Sequence, residues 1–353
     1  MEKEALLWLP LKDNKVICHL CNHFCIIEEN KSGFCNVRVN RNGKLYSINY
    51  GKASGLAIDP IEKKPFFHFK PSTKVMSFGT PGCNFRCLNC QNWDLSQAML
   101  EFENPLGFND ILPNEIVDTA LKYKCDGYSY TYSEPTIFFE YARDVIIEAK
   151  KRHKNSFHVF VSNGYFSKKM LDVVLKENLL DAIRIDLKFI DDLKYQQITA
   201  GKLKPVLENI KNVYKSKLHI EVINLVIPTL NDSEKDILNL VLELKRISPQ
   251  IPLHFSAFHP DYKLMNIPRT PLSTLLKAKK IAEENGIEYV YLGNVHYAEG
   301  YEDTYCPSCK NLLIKRRGFE VLSNVFTDKK KITFTENNKP VCPKCGYEIN
   351  IAL

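Results

Sequence analysis

No stretch of this 353-residue chain approaches the roughly 18 consecutive apolar residues that a membrane-crossing helix needs. The opening, Met1-Glu2-Lys3-Glu4-Ala5, is too charged for a secretory leader, and no sufficiently long apolar run follows it. The expectation is therefore a cytoplasmic protein. No Gly-x-Gly-x-x-Gly follows the first strand of the regular region, which argues against a dinucleotide-binding fold. Internal repeats and low-complexity linkers are absent too, so neither a solenoid nor a tethered pair of domains is expected.

What the chain has is cysteine. It carries 12, and all but Cys125 fall into three local groups. In a cytosolic chain, grouped cysteines read as metal ligands rather than disulfides. Cys83, Cys87 and Cys90 follow Cys-x3-Cys-x2-Cys spacing. Three thiolates this close can grip three irons of a [4Fe-4S] cube, whereas most cubes take four cysteines. One iron is then left open for another ligand. A structural zinc site wants four protein ligands, and no fourth candidate lies immediately beside these three.

Cys306-Pro-Ser-Cys309 and Cys342-Pro-Lys-Cys345 are two knuckles that together suit one tetrahedral Zn2+ in a zinc ribbon, with a four-cysteine cube as the rival. Short strands are expected between them, at 312–314, 318–321 and 331–334. Cys18, Cys21, Cys25 and Cys35 also suffice to close a site. Zinc and an accessory iron-sulfur cluster are both chemically allowed there, and spacing does not separate them. His19 and His23 read as exposed loop residues, and Cys125 as a buried structural thiol. The formal charge of +7 changes once metals are counted. Two four-thiolate zinc sites contribute about −2 each and a three-thiolate cube about −1, which leaves roughly +2. A basic total is thus a poor argument for nucleic-acid binding.

From Lys74 onward apolar runs alternate with helical periods. Strands are expected at 75–80, 128–133, 157–162, 181–187, 219–225 and 252–257, with a short last one at 289–291. Helices between them open at Asn114, Pro135, Ser167, about Leu203, Asn231 to Glu234, and Thr270-Pro271. Such alternation implies parallel strands with crossover helices. The predicted class is α/β, a partial (β/α)6 barrel over 74–295. A cysteine-rich segment over 1–73 and a zinc-ribbon-like module over 296–353 are its appendages. A doubly wound open sheet is the alternative.

In such barrels the chemistry sits at the C-terminal ends of the strands. There this sequence places Glu134, Ser162 and Asn163, and then Arg184, Asp186 and Lys188, whose alternate positions share one strand face. His259 follows the sixth strand and suits proton transfer or substrate binding. Each has an ordinary reading: a helix-start acid, an Asn-Gly turn, an internal ion network, a structural histidine.

Together these residues resemble the radical S-adenosylmethionine (SAM) superfamily. More narrowly they resemble the AmmeMemoRadiSam system radical SAM enzymes, which are similar to glycyl radical enzyme activases such as pyruvate formate-lyase activating enzyme. The narrower likeness rests on Asp59-Pro-Ile-Glu-Lys-Lys-Pro65, Pro81-Gly-Cys-Asn84, Cys90-Gln-Asn-Trp93, Ser96-Gln97, Tyr130-Thr-Tyr-Ser-Glu-Pro-Thr136, Val226-Ile-Pro228 and Tyr291-Leu-Gly-Asn294, with both outer cysteine groups. It spans nearly the whole chain.

The resemblance implies a [4Fe-4S] cluster on Cys83, Cys87 and Cys90. Its open iron binds SAM, which is cleaved to a 5′-deoxyadenosyl radical. Phe85 matches the aromatic that packs against the adenine. Glu134 matches the acid of a Gly-Gly-Glu segment, although the glycines are missing here. Ser162 and Asn163 match an activase segment whose aspartate is replaced by Val161. Asp186 and Lys188 match an Asp-x-Lys segment, and His259 aligns loosely with an active-site histidine. An electron donor such as ferredoxin or flavodoxin is implied, and so is an association with Memo-like and AMME-type proteins. Three functions are in play: hydrogen abstraction from a protein glycine, radical modification of RNA or a small metabolite, and a non-enzymatic metal scaffold. The RNA reading rests on Lys310, Lys315, Arg316, Arg317 and the run Lys329–Lys331, whose ordinary role is solvated surface charge.

Overall fold

The computed structural model describes all residues except 108, 296–299, 329–331 and 337–338. The run Lys329–Lys331 and the start of the strand expected at 331–334 lie outside the described residues.

Eight strands form the central sheet: β1 (Ser54–Pro60), β2 (Lys74–Gly79), β3 (Gly127–Tyr130), β4 (Phe157–Ser162), β5 (Ala182–Asp186), β6 (His219–Val226), β7 (Leu253–Ala257) and β8 (Val290–Gly293). They lie in chain order across the sheet. From β2 to β8 every neighbour is parallel. Such strands are covered on both faces, which is why Val75–Gly79 and Gly127–Tyr130 are buried throughout. The edges β1 and β8 do not pair with each other, so the barrel is open along one side.

The crossover helices are α1 (Pro113–Lys122), α2 (Phe139–Arg152), α3 (Lys168–Lys176), α4 (Asp192–Thr199), α5 (Leu203–Lys215), α6 (Glu234–Ile247) and α7 (Leu272–Glu284). Ser167 caps α3 by accepting from the Met170 N–H at 3.1 Å, and Ser233 caps α6 by accepting from the Asp236 N–H at 3.1 Å. Removing either cap costs about 1 kcal/mol.

Four features differ from the expectation. Leu112 rather than Asn114 stands at the start of α1, because Pro113 at the first helical position and Glu115, which accepts from the Leu112 N–H at 2.6 Å, fix an earlier start. Helix α4 was not anticipated. Strand β1 lies within the segment assigned to the N-terminal appendage, yet it adds an antiparallel edge to the barrel sheet. A register shift between Ser54 and Ala57 breaks the alternation that would have marked it. In the C-terminal module, Thr304–Tyr305 joins Leu312–Arg317 and Glu320–Asn324 in a sheet, while Phe334 makes only an isolated bridge to Pro340.

Both appendages are locked to the barrel. The N-terminal segment forms two three-stranded antiparallel sheets. Its Arg38, 2% exposed, donates to both carboxylate oxygens of Glu140 on α2, at 2.9 and 3.1 Å. At the floor of the barrel the fully buried Glu221 accepts from the Phe67 and His68 N–H groups and from the His219 and His254 rings. Arg316 of the C-terminal module donates to the Phe67 carbonyl and to Thr304 Oγ1. His68 donates to the Asn350 carbonyl, and the Ala352 N–H returns a bond to the His68 carbonyl.

Candidate functional site

A cavity of about 430 Å³ opens at the C-terminal ends of the strands. The cysteine loop leaves β2 and forms one wall. Its backbone is fastened to the unanticipated helix: the Arg86 N–H donates to the Thr199 carbonyl and the Leu88 N–H to that of Ile198. Phe85 is buried under this loop against Tyr165 and Tyr195. A Cβ on Gly201 would lie 2.3 Å from the Phe85 ring, so only glycine admits the ring there.

Cys83, Cys87 and Cys90 all line the cavity. The Phe85 N–H donates to Cys83 Sγ at 3.3 Å, and Cys90 Sγ lies 3.0 Å from Ser96 Oγ. Burial raises all three thiols, Cys87 to about 12. Such thiols become thiolates only when a metal replaces their protons. Around them, Asn89 Oδ1, Gln97 Oε1 and Arg184 Nε are buried without a hydrogen-bond partner. Three gathered thiols beside unpartnered polar groups fit a cluster with an organic ligand on it.

The next wall joins β3 to β4. Glu134 accepts from Thr136 N–H, Thr136 Oγ1 and Ser162 Oγ on one oxygen and from the Asn163 N–H on the other. Burial raises its carboxyl despite these donors. Asn163 Nδ2 donates to Asn84 Oδ1 at 2.7 Å, tying this wall to the cysteine loop. On β5 and just beyond it, Asp186 takes Arg184 at 2.6 Å on one oxygen and Lys188 at 2.9 Å on the other. The internal ion network and the cavity wall are thus one object. Burial alone would raise Asp186, but Arg184 and Lys188 hold it below its usual range.

The cavity is also bordered by a cluster the sequence does not define. Asp59 accepts from Lys63 at 2.7 Å and from Tyr132 at 2.9 Å, and pairs with Lys64 at 2.7 Å. Lys63, Lys64 and Tyr132 line the cavity. The Lys64 ammonium sits 4.4 Å from the centre of the Tyr132 ring, and burial pulls it down to about 8 against the attraction of Asp59. Glu62 turns away, buried and accepting from the Ser72 N–H at 2.9 Å. Asp59–Pro65 was visible as a loop of interest, but no sequence signal told which of its charges are buried.

His259 lies beyond β7, half-buried, its Nδ1 3.4 Å from the Pro260 carbonyl oxygen, and is not among the cavity-lining residues. His23 is not an exposed loop residue: it donates to the Asn84 carbonyl at 2.7 Å and stacks on Phe34. Cys125 is buried, as expected. Cys306 and Cys345 approach to 3.6 Å and Cys309 and Cys342 to 3.7 Å, with all four sulfurs within 4.8 Å of one another. Cys18, Cys21, Cys25 and Cys35 belong to a segment that touches the cysteine loop through His23 and Phe34, which contact Asn84 and Arg86. Of the basic residues near the ribbon, Arg316 is 3% exposed and spent on the barrel, and Arg317 pairs with Glu320 at 3.1 Å.

Residues 78–241 match the sequence profile of the radical SAM superfamily. Over 99% of its length the chain is 44% identical to an uncharacterized protein of Methanocaldococcus jannaschii, all of which is covered. A second protein of that organism, provisionally named a glycyl-radical enzyme activating enzyme, is 27% identical over 65% of this chain and 82% of its own. The pyruvate formate-lyase-activating enzyme of Clostridium pasteurianum is 22% identical over 58% of this chain and 87% of its own. Among the described residues, no helix is long and apolar enough to cross a membrane.

Proposed function

The chain belongs to the radical SAM superfamily, and from that premise we propose that it cleaves SAM reductively and takes a hydrogen atom from a segment of another protein. One observation carries this reading: the three thiols, the Glu134 bracket and the Arg184–Asp186–Lys188 network line a single cavity. Cys83, Cys87 and Cys90 would hold the cluster. When bound, cluster and SAM supply the one-electron cleavage that yields methionine and a 5′-deoxyadenosyl radical.

The chain's own residues hold and orient. Glu134, fixed by Ser162 and Asn163, would receive the SAM ammonium. Arg184 and Lys188 share one carboxylate, which leaves one positive charge for the SAM carboxylate. Phe85 stiffens the cysteine loop from beneath. His259 would act on substrate outside the cavity wall. A protein substrate is supported by the activase names of two relatives and by the open side of the barrel, where Lys63, Asn294 and the half-exposed Phe319 border the cavity. Electrons would come from a ferredoxin or flavodoxin. The four C-terminal sulfurs suit one zinc ion, which keeps its thiolates about 3.8 Å apart.

A second reading, a small anionic substrate, is favoured by the surplus positive charge of Lys63 and Lys64 over Asp59. The RNA reading loses ground because Arg316 is buried.

The test is anaerobic. The reconstituted protein is reduced with dithionite and given SAM, and 5′-deoxyadenosine and methionine are measured against a Cys83→Ala/Cys87→Ala/Cys90→Ala control. Product in the wild type alone is the expected result. A cube-containing, fully reduced wild type that leaves SAM intact would sink the proposal.

A further inference from the structure

Cys18, Cys21, Cys25 and Cys35 have no part in the chemistry above, and their geometry sets them apart from the C-terminal four. Among the described residues, Cys306, Cys309, Cys342 and Cys345 are the one group of three or more metal-ligating side chains whose ligand atoms all lie within 4.8 Å of one another. That is the spacing of sulfurs drawn onto a single ion. The N-terminal four do not contract to it, and neither do Cys83, Cys87 and Cys90.

Both looser groups are nevertheless groups. The Cys18 N–H donates to the Cys25 carbonyl at 2.9 Å, and Cys25 Sγ sits against the turn that leads to Cys35, 3.5 Å from where a Cβ on Gly33 would stand. In the same way Cys83, Cys87 and Cys90 line one cavity. A cube gives each thiolate its own corner iron and so holds its sulfurs farther apart than one ion does. Among the described residues the N-terminal quartet, like the triad, is not drawn within 4.8 Å, and it has the fourth sulfur that the triad lacks.

Its position is the second observation. A Cβ on Gly82, next to Cys83, would lie 3.2 Å from the Cys35 carbonyl oxygen. Arg86 of the cysteine loop donates to the Cys83 carbonyl at 3.0 Å and to the Phe34 carbonyl, and its guanidinium lies 4.4 Å from the centre of the Phe34 ring. His23, between Cys21 and Cys25, bonds to Asn84. The two cysteine loops are therefore in direct contact. The Phe34 N–H also donates to Cys25 Sγ at 3.4 Å, as suits a cluster thiolate.

We propose that Cys18, Cys21, Cys25 and Cys35 hold a second [4Fe-4S] cluster, which passes single electrons from a ferredoxin- or flavodoxin-class donor to the cluster at Cys83, Cys87 and Cys90. Four thiolates leave no open iron, so this cluster carries electrons and binds no SAM. Each transfer oxidises the donor by one electron, reduces and then reoxidises the second cluster, and makes or breaks no bond. The relay role rests on the radical chemistry proposed above; the identity of the metal does not.

The test uses the full-length Cys83→Ala/Cys87→Ala/Cys90→Ala variant, reconstituted anaerobically with iron and sulfide. About four irons and one zinc per chain are expected, with the paramagnetic signal of a reduced cube after dithionite. About two zincs and no iron would overturn the site, as would a chain holding one zinc and nothing else. For the relay, a Cys21→Ser/Cys25→Ser variant is compared with wild type using reduced flavodoxin and dithionite as alternative donors. The ratio of flavodoxin-driven to dithionite-driven SAM cleavage falls if the relay operates, and an unchanged ratio overturns it. A wild type that never cleaves SAM would refute the radical reading alone, since the iron count still decides the site.

Discussion

Two clusters border the cavity with the same charge arithmetic: one carboxylate between two cations. Asp186 stands between Arg184 and Lys188, and Asp59 between Lys63 and Lys64. Each keeps one positive charge unspent. They differ in what holds them. The first is set by strand alternation along β5 and the residues just after it. The second is assembled from the end of β1 and the single helical turn Ile61–Lys63, with Tyr132 as a roof. Equal charge on unequal scaffolds separates the two walls: under the function proposed above, the strand-held one would meet SAM and the loop-held one, at the open side, the substrate.

The comparison breaks most severely at Asp59. It and Lys64 are both almost fully buried, so Asp59→Asn strands a buried ammonium and should cost about 3 kcal/mol in chemical denaturation. SAM affinity should not move; if it falls with stability intact, the two walls are not separate. Lys188→Met removes a charge-assisted contact and should weaken SAM binding by about 2 kcal/mol, roughly 30-fold, in calorimetry on the anaerobic holoprotein. Unchanged affinity would detach β5 from SAM.

Lys64 sharpens the contrast through pH. Its folded value of about 8 lies below the ordinary 10.5, so between those values the unfolded chain binds more protons and stability rises with pH. Relative to Lys64→Met, wild-type stability should be flat below pH 8 and climb from there to about 10.5. A difference that stays flat across that window would mean the ammonium is not penalised. The smallest effect belongs to Lys63, whose side chain is 43% exposed. Lys63→Gln should cost less than about 1 kcal/mol.

The same contrast explains what could be read from the sequence. Arg184-x-Asp186-x-Lys188 was legible because a strand maps alternate residues onto one face, and the cysteine triad because its spacing is local. Periodicity likewise exposed β2 to β8. It missed β1, where a bulge interrupts the pattern, and α4, a short helix whose apolar face is slight because much of it backs a loop. Asp59 and Tyr132 are 73 residues apart, and nothing local announces that they meet. His23 failed for the same reason: its partner, Asn84, is 61 residues away. The difference between the cysteine quartets also lay beyond spacing, because it depends on how far apart the folded loops hold their sulfurs.

Arg316 has a consequence for ancestry. It reaches from the C-terminal module to the Phe67 carbonyl at the barrel floor, close to the Glu221 node, and donates also to Thr304 of its own module. A recombination that replaced the module would leave that floor short of a buried donor, and one that replaced the barrel would strand a guanidinium. Neither half can be traded alone without a compensating change in the other. The module and the barrel are therefore expected to descend together, as one heritable unit.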